Sequence, residues 1–137
     1  MKYWLMKTEP GNWSWDDQVK KGVEHWDGVR NHQAANNMKA MALGDRIFFY
    51  HSVKEKCIVG IVEVAKLYYP YHTDPTGKFG MVDVKTVEPF KTPVTLSEIK
   101  ADERLADMLL VRHSRLSVSP VDAKAWKIIC KMGGIKP

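Results

Sequence analysis

Arg46-Ile47-Phe48-Phe49-Tyr50-His51, followed after a charged turn by Cys57-Ile58-Val59-Gly60-Ile61-Val62-Glu63-Val64-Ala65-Lys66-Leu67, sets the expected architecture. The first run predicts a strand. Ile47, Phe49 and His51 take one side of it, and Phe48, Tyr50 and Ser52 the other. The second run is rich in Val and Ile, which predicts a long strand covered on both faces. Gly60 interrupts it and points to a bulge or a close backbone approach. Lys54-Glu55-Lys56 is the turn between them.

Outward from this pair, Tyr3 to Lys7 predicts a first strand closed by Thr8-Glu9-Pro10-Gly11. Ser14 and Asp17 form a capping box for a helix through Lys21, ended by Gly22. Asn31 to Met41 predicts a second helix with Ala34, Met38 and Met41 on one face. Tyr68 to Lys78 reads as a loop through its Pro and Gly residues. Phe79 to Val87 alternates as a half-exposed strand. Leu96 to Lys100 predicts a helical turn, Glu103 to Arg112 a short helix and Leu116 to Val118 a last short strand. The final helix is expected to be capped by Ser119, with Pro120 in its first turn and Gly133 as its stop. Its buried stripe is Val121, Ala125, Ile128, Ile129 and Met132.

Helices do not regularly separate the strands, so a doubly wound parallel sheet is not expected. The pattern predicts a mainly β chain with peripheral α-helices. Its sheet should be curved and largely antiparallel, or closed into a small mixed β-barrel.

The 137 residues, 45% of them apolar, suit a single domain with one substantial core. Basic side chains outnumber acidic ones 21 to 16, for a formal charge of +5. That excess fits a polyanion partner and fits simple solubility equally well. The two cysteines, Cys57 and Cys130, lie in apolar stretches outside any CxxC pair. They are expected to be buried thiols of a reducing compartment, which places the protein in the cytoplasm. No signal-peptide core and no apolar run of membrane-spanning length occurs, so no membrane partner is expected.

Signatures of catalysis are missing. There is no GxxxxGK[ST] or GxGxxG phosphate cradle, no HExxH or other metal spacing among the histidines, and no GxSxG elbow. Together these absences rank a binding module above an enzyme, with no cofactor and no metal expected.

The segment Trp26-Asp27-Gly28-Val29-Arg30-Asn31 carries groups suited to one nucleotide. Trp26 is either a stacking face for a base or a core anchor before the second helix, and spacing alone favours the anchor. Asn31 can read a base edge or cap the helix, and the two roles can coexist. Arg30 can meet a phosphate at the helix start or stay solvated. His51-Ser52 ends an apolar strand, either lining a ligand mouth or satisfying internal hydrogen bonds. Lys7 and Thr8 follow the first strand, where turn chemistry competes with a place at the same mouth. Arg112 and Arg115 form a basic step that suits backbone phosphates or a plain solvated edge.

At these residues the chain resembles the EVE domain family. The resemblance runs through Tyr3-Trp4-Leu5-Met6-Lys7-Thr8-Glu9-Pro10, Trp26-Asp27-Gly28-Val29-Arg30-Asn31, and Gly44-Asp45 with Phe49-Tyr50-His51-Ser52. It continues through Gly60-Ile61-Val62-Glu63-Val64, Tyr69-Pro70 and Arg115-Leu116-Ser117-Val118. The resemblance implies a PUA-like fold, a mixed β-barrel flanked by helices. EVE domains are similar to YTH domains, which hold a modified base in an aromatic cage. By that likeness the partner is DNA or RNA carrying a modified base. Trp26 becomes a cage wall, Asn31 and Thr8 base-edge or loop-positioning groups, and Ser52 a pocket hydrogen bonder. Where the family usually carries Ser, this chain has Thr8, which keeps the hydroxyl. The family's Arg after Asn31 is Ala35 here, one phosphate contact fewer.

Overall fold

The computed structural model describes residues 2–11, 13–26, 31–53, 55–70 and 80–136. Six strands, β1 (Tyr3–Thr8), β2 (Val23–Trp26), β3 (Arg46–His51), β4 (Cys57–Pro70), β5 (Gly80–Thr95) and β6 (Val118–Val121), form one sheet in the order β2-β5-β4-β3-β1-β6. β1 and β3 run parallel, and the other neighbouring pairs are antiparallel. Five helices pack on it: α1 (Trp15–Lys21), α2 (His32–Lys39), α3 (Leu96–Ala101), α4 (Leu109–Arg112) and α5 (Ala123–Met132).

The alternation read in β3 divides the interior in two. Ile47 and Phe49 join Trp4, Met6, Trp15, Trp26, Ala34 and Met38 on one side of the sheet. Phe48 and Tyr50 join Leu5, Ile58, Ile61, Ile99, Trp126 and Ile129 on the other. Both sides are buried, as the runs of Val, Ile and Phe foretold.

The sheet is a mixed one, as expected, but it does not close into a barrel. β2 and β6 are its edges. Each is only four residues long. Helix α2 lies against β6, β5 and β4 instead, covering the face a closing strand pair would have sealed. Asn37 fixes it there, its Nδ2 donating to the Val118 carbonyl at 2.7 Å.

Gly60 takes both roles proposed for it. The β3–β4 and β4–β5 registers shift beside it, and a Cβ at this position would collide with the Trp15 ring. Opposite Gly60 sits Pro89. A proline cannot donate to the ladder, and it is tolerated at such an irregularity. This is why β5 continues to Thr95, past the Val87 limit read from the sequence. β4 likewise extends to Pro70, into the expected loop; residues 71–79 lie outside those described.

The last helix starts later than expected. Ser119 and Pro120 belong to β6, where Pro120 pairs with Trp4 on the sheet's outer edge. Asp122 is the cap, accepting from the Ala125 N–H at 2.7 Å. Both stretches satisfy helix-start grammar, and pairing with β1 decides between them. The expected helix over Glu103 to Arg112 is broken into a 3-10 turn at Glu103–Leu105 and α4. Cys57 and Cys130 are buried free thiols, and burial pushes Cys130 up to about 12.

Candidate nucleic-acid interface

Because β1 and β3 are parallel, their C-terminal ends meet, and Thr8 lies beside His51. The chain leaves both strands here. The Ser52 N–H donates to the Thr8 carbonyl at 2.8 Å, and Ser52 Oγ donates to the same oxygen at 3.2 Å. Thr8 Oγ1 donates to the Trp13 carbonyl at 2.9 Å. Two predicted pocket residues are therefore in direct contact, each half-buried.

His51 is buried, and both its nitrogens are engaged. The Trp15 N–H donates to Nε2 at 3.0 Å, so Nε2 is the acceptor. Nδ1 then carries the proton and donates to Glu55 at 2.7 Å. Of the two readings left open for His51, the geometry is that of an internal hydrogen bonder. It ties the start of α1 to the end of β3.

Trp26 ends β2 and is 7% exposed, its ring edge-to-face with Phe49 at 5.4 Å. It anchors the core as spacing suggested, and the next four residues, Arg30 among them, lie outside those described. Asn31 caps α2, accepting from the Ala34 N–H at 2.9 Å.

A second gathering stands beside the first. Asn31, Gln33, Arg112, His113, Ser114, Arg115 and Leu116 line a groove of about 340 Å³. Lys7, adjacent to Thr8, donates from Nζ to the Ser114 carbonyl at 2.7 Å. Partial burial holds the Lys7 ammonium below its ordinary pKa. Arg112 pairs with Asp107 at 2.7 Å on the surface, and Arg115 is exposed. Three of the residues read as phosphate contacts thus surround the groove whose wall holds Asn31. Anionic oxygens fit such a rim, because arginine presents a rigid fork of donors.

Sequence reading missed Gln18, which is fully buried on α1. Its Oε1 accepts from Trp13 Nε1 at 3.0 Å, and its Nε2 donates to the Gly22 carbonyl at 3.2 Å. Thr86 Oγ1 donates to the Gln18 carbonyl at 3.0 Å. This glutamine positions the Trp13 indole and hence the turn that holds Thr8. Its signal was available, since Gln18 falls three residues after Trp15 on the same helix face. Among the described residues no cluster of metal-ligating side chains occurs, and no helix is long and apolar enough to cross a membrane.

The chain is similar to solved structures over nearly all of its length. Protein Rpa0253 from Rhodopseudomonas palustris is 57% identical, with a TM-score of 0.92 covering 98% of this chain and 94% of that one. The human protein THYN1, solved in complex with DNA containing 5-methylcytosine, is 32% identical, with a TM-score of 0.92 covering 100% of both chains. Thymocyte nuclear protein 1 of Gallus gallus is 34% identical over 174 aligned positions, covering 98% of this chain and 70% of the relative. The family model of the EVE domain matches residues 2–132, and the chain belongs to the EVE domain family.

Proposed function

We propose that this chain is a non-enzymatic reader of nucleic acid that takes a modified base, such as methylated or hydroxymethylated cytosine, into a pocket at the joined ends of β1 and β3. The observation that carries this reading is the whole-chain fit to the human protein solved with 5-methylcytosine DNA. The local geometry supports it. Lys7, Arg112 and Arg115 surround one groove, and that groove shares Asn31 with the segment that follows Trp26. These cations grip backbone phosphates without reading sequence, and Thr8, Asn31, Ser52 and Trp26 form the base pocket.

A nucleotide-processing enzyme with His51 as acid or base is the weaker reading. Both His51 nitrogens are committed, one to Trp15 and one to Glu55, which leaves no nitrogen to move a substrate proton.

The test is fluorescence anisotropy with DNA and RNA oligonucleotides carrying 5-methylcytosine, 5-hydroxymethylcytosine or plain cytosine. Trp26 also packs on Phe49, so Trp26→Leu is the variant of choice: it fills the core but offers no ring plane. Loss of one stacking face is worth roughly 1–3 kcal/mol, so preference for the modified base should fall about tenfold. An unchanged preference in a folded Trp26→Leu protein would falsify the pocket.

A further inference from the structure

The turn between β3 and β4 carries a residue that folding does not account for. Val53 sits at φ 71°, in the left-handed region, and is 57% exposed. A β-branched side chain in that region is a true outlier, since its second γ-carbon crowds the backbone. Glycine or asparagine would make the same turn with less strain. Burial does not offset the strain, because the Val53 side chain lies outside both apolar cores.

The turn is held from three directions. Ser52 binds the Thr8 carbonyl through both N–H and Oγ. Glu55 accepts from His51 Nδ1. The Leu96 N–H, at the start of α3, donates to the Lys56 carbonyl at 2.8 Å. The result is a fixed prong with an apolar tip, one residue beyond Ser52. The sequence places Lys54 and Lys56 on either side of Glu55, just after that tip. Lys56 is exposed and is itself left-handed, at φ 47°.

Strain retained in an exposed, over-determined turn points to use rather than to stability. A base drawn out of a duplex leaves a gap in the stack, and proteins that open such gaps fill them with small apolar wedges. We propose that Val53 is this domain's wedge: it enters duplex nucleic acid and occupies the stacking position vacated by a base turned into the pocket beside Thr8 and Ser52. The proposal rests on the reader assignment above. The turn's rigidity lets the tip enter without first being ordered, and the lysines that follow it face phosphates along the opened strand.

Two variants test this. Val53→Asn eases the backbone and removes the apolar tip, and Val53→Leu keeps an apolar tip. The substrates are a DNA duplex with one 5-methylcytosine beside a 2-aminopurine, and the same strand unpaired. Wild type and Val53→Leu should brighten the 2-aminopurine in the duplex. Val53→Asn should lose that brightening and bind the duplex roughly tenfold more weakly, because the gap is left unfilled. Its affinity for the unpaired strand should stay within about twofold of wild type, because no stack has to be opened there. Thermal melting should show Val53→Asn at least as stable as wild type. If methyl preference persists in both substrates and Val53→Asn binds the duplex as wild type does, the wedge is overturned and the reader stands. If wild type binds methylated and plain cytosine alike in both substrates, the reader assignment falls and the wedge falls with it.

Discussion

Strand β3 has two faces, and they are buried in different ways. On one, Phe48 stacks on Trp126 at 3.8 Å with the rings 13° apart, and Trp126 stacks in turn on Tyr3 at 4.4 Å. Leu5, Ile58, Ile99 and Ile129 complete that side, with no charged group among the buried residues of the cluster. On the other face the tryptophans are tied to polar partners. Trp4 Nε1 donates to Asp45 at 3.1 Å, Trp13 Nε1 to Gln18 at 3.0 Å and the Trp15 N–H to His51 at 3.0 Å. Burying polar groups costs free energy unless each is matched, and among the described residues every buried side-chain polar atom is matched. A face built this way specifies geometry more than it adds stability. It is also the face whose strand ends carry Thr8, Ser52 and Trp26.

The comparison makes its sharpest claim at Trp126. Trp126→Ala should lower unfolding free energy by about 3–5 kcal/mol in urea titrations, the cost of a large cavity in a packed core. Folded Trp126→Ala protein should keep its preference among oligonucleotides. If preference shifts while the protein remains folded, the division between a stabilising face and a binding face fails.

The two faces also differed in how much of them could be read in advance. Alternation in β3, the Ser14–Asp17 capping box and the Gly60 break were legible, because each is a local rule with one outcome. Trp126 escaped the stripe assigned to the last helix. Moving the cap to Asp122 brings Trp126 and Cys130 inward and leaves Ile128 and Met132 half-exposed. Openness of the sheet was not legible, since whether β2 meets β6 depends on where α2 packs. At the site, Thr8 and Ser52 could each be nominated from strand ends. Their mutual bond needed the parallel pairing of β1 with β3, which no local pattern encodes. Gln18 was hidden for a similar reason: its partners Val84 and Thr86 stand far along the chain.

Asp45 sharpens the contrast through pH. Burial pushes its carboxyl upward, but hydrogen bonds from the Ala42 N–H, Trp4 Nε1 and the Lys2 N–H outweigh that and hold it below the usual carboxylate range. A folded-state value below the unfolded one of about 3.9 means that Asp45 stabilises the fold above that pH and loses its contribution as pH falls through the folded value. Asp45→Asn should therefore cost roughly 1–3 kcal/mol at neutral pH, where an ionised acceptor of three donors is lost. The deficit should shrink toward zero in acid, as wild-type Asp45 protonates. Denaturation series between neutral and acidic pH check this, and a deficit independent of pH would show that the tryptophan-side carboxylate is not held ionised by its donors.

The smallest effect belongs to the groove rim. Arg115 is exposed and makes no ion pair among the described residues, whereas Arg112 is partly neutralised by Asp107 at 2.7 Å. Each phosphate contact releases condensed counterions, so losing one reduces the slope of log affinity against log salt by about one. Arg115→Ala should show that reduction in anisotropy titrations across a salt series, and Arg112→Ala a smaller one, because its guanidinium is already shared with Asp107. Neither should alter stability by more than about 0.5 kcal/mol, as expected for surface substitutions. Nor should either change the ranking of modified over plain bases, because a phosphate contact positions the strand without reading it. A changed ranking with an unchanged slope would move Arg115 from the rim into the base pocket and enlarge the binding face at the expense of the groove.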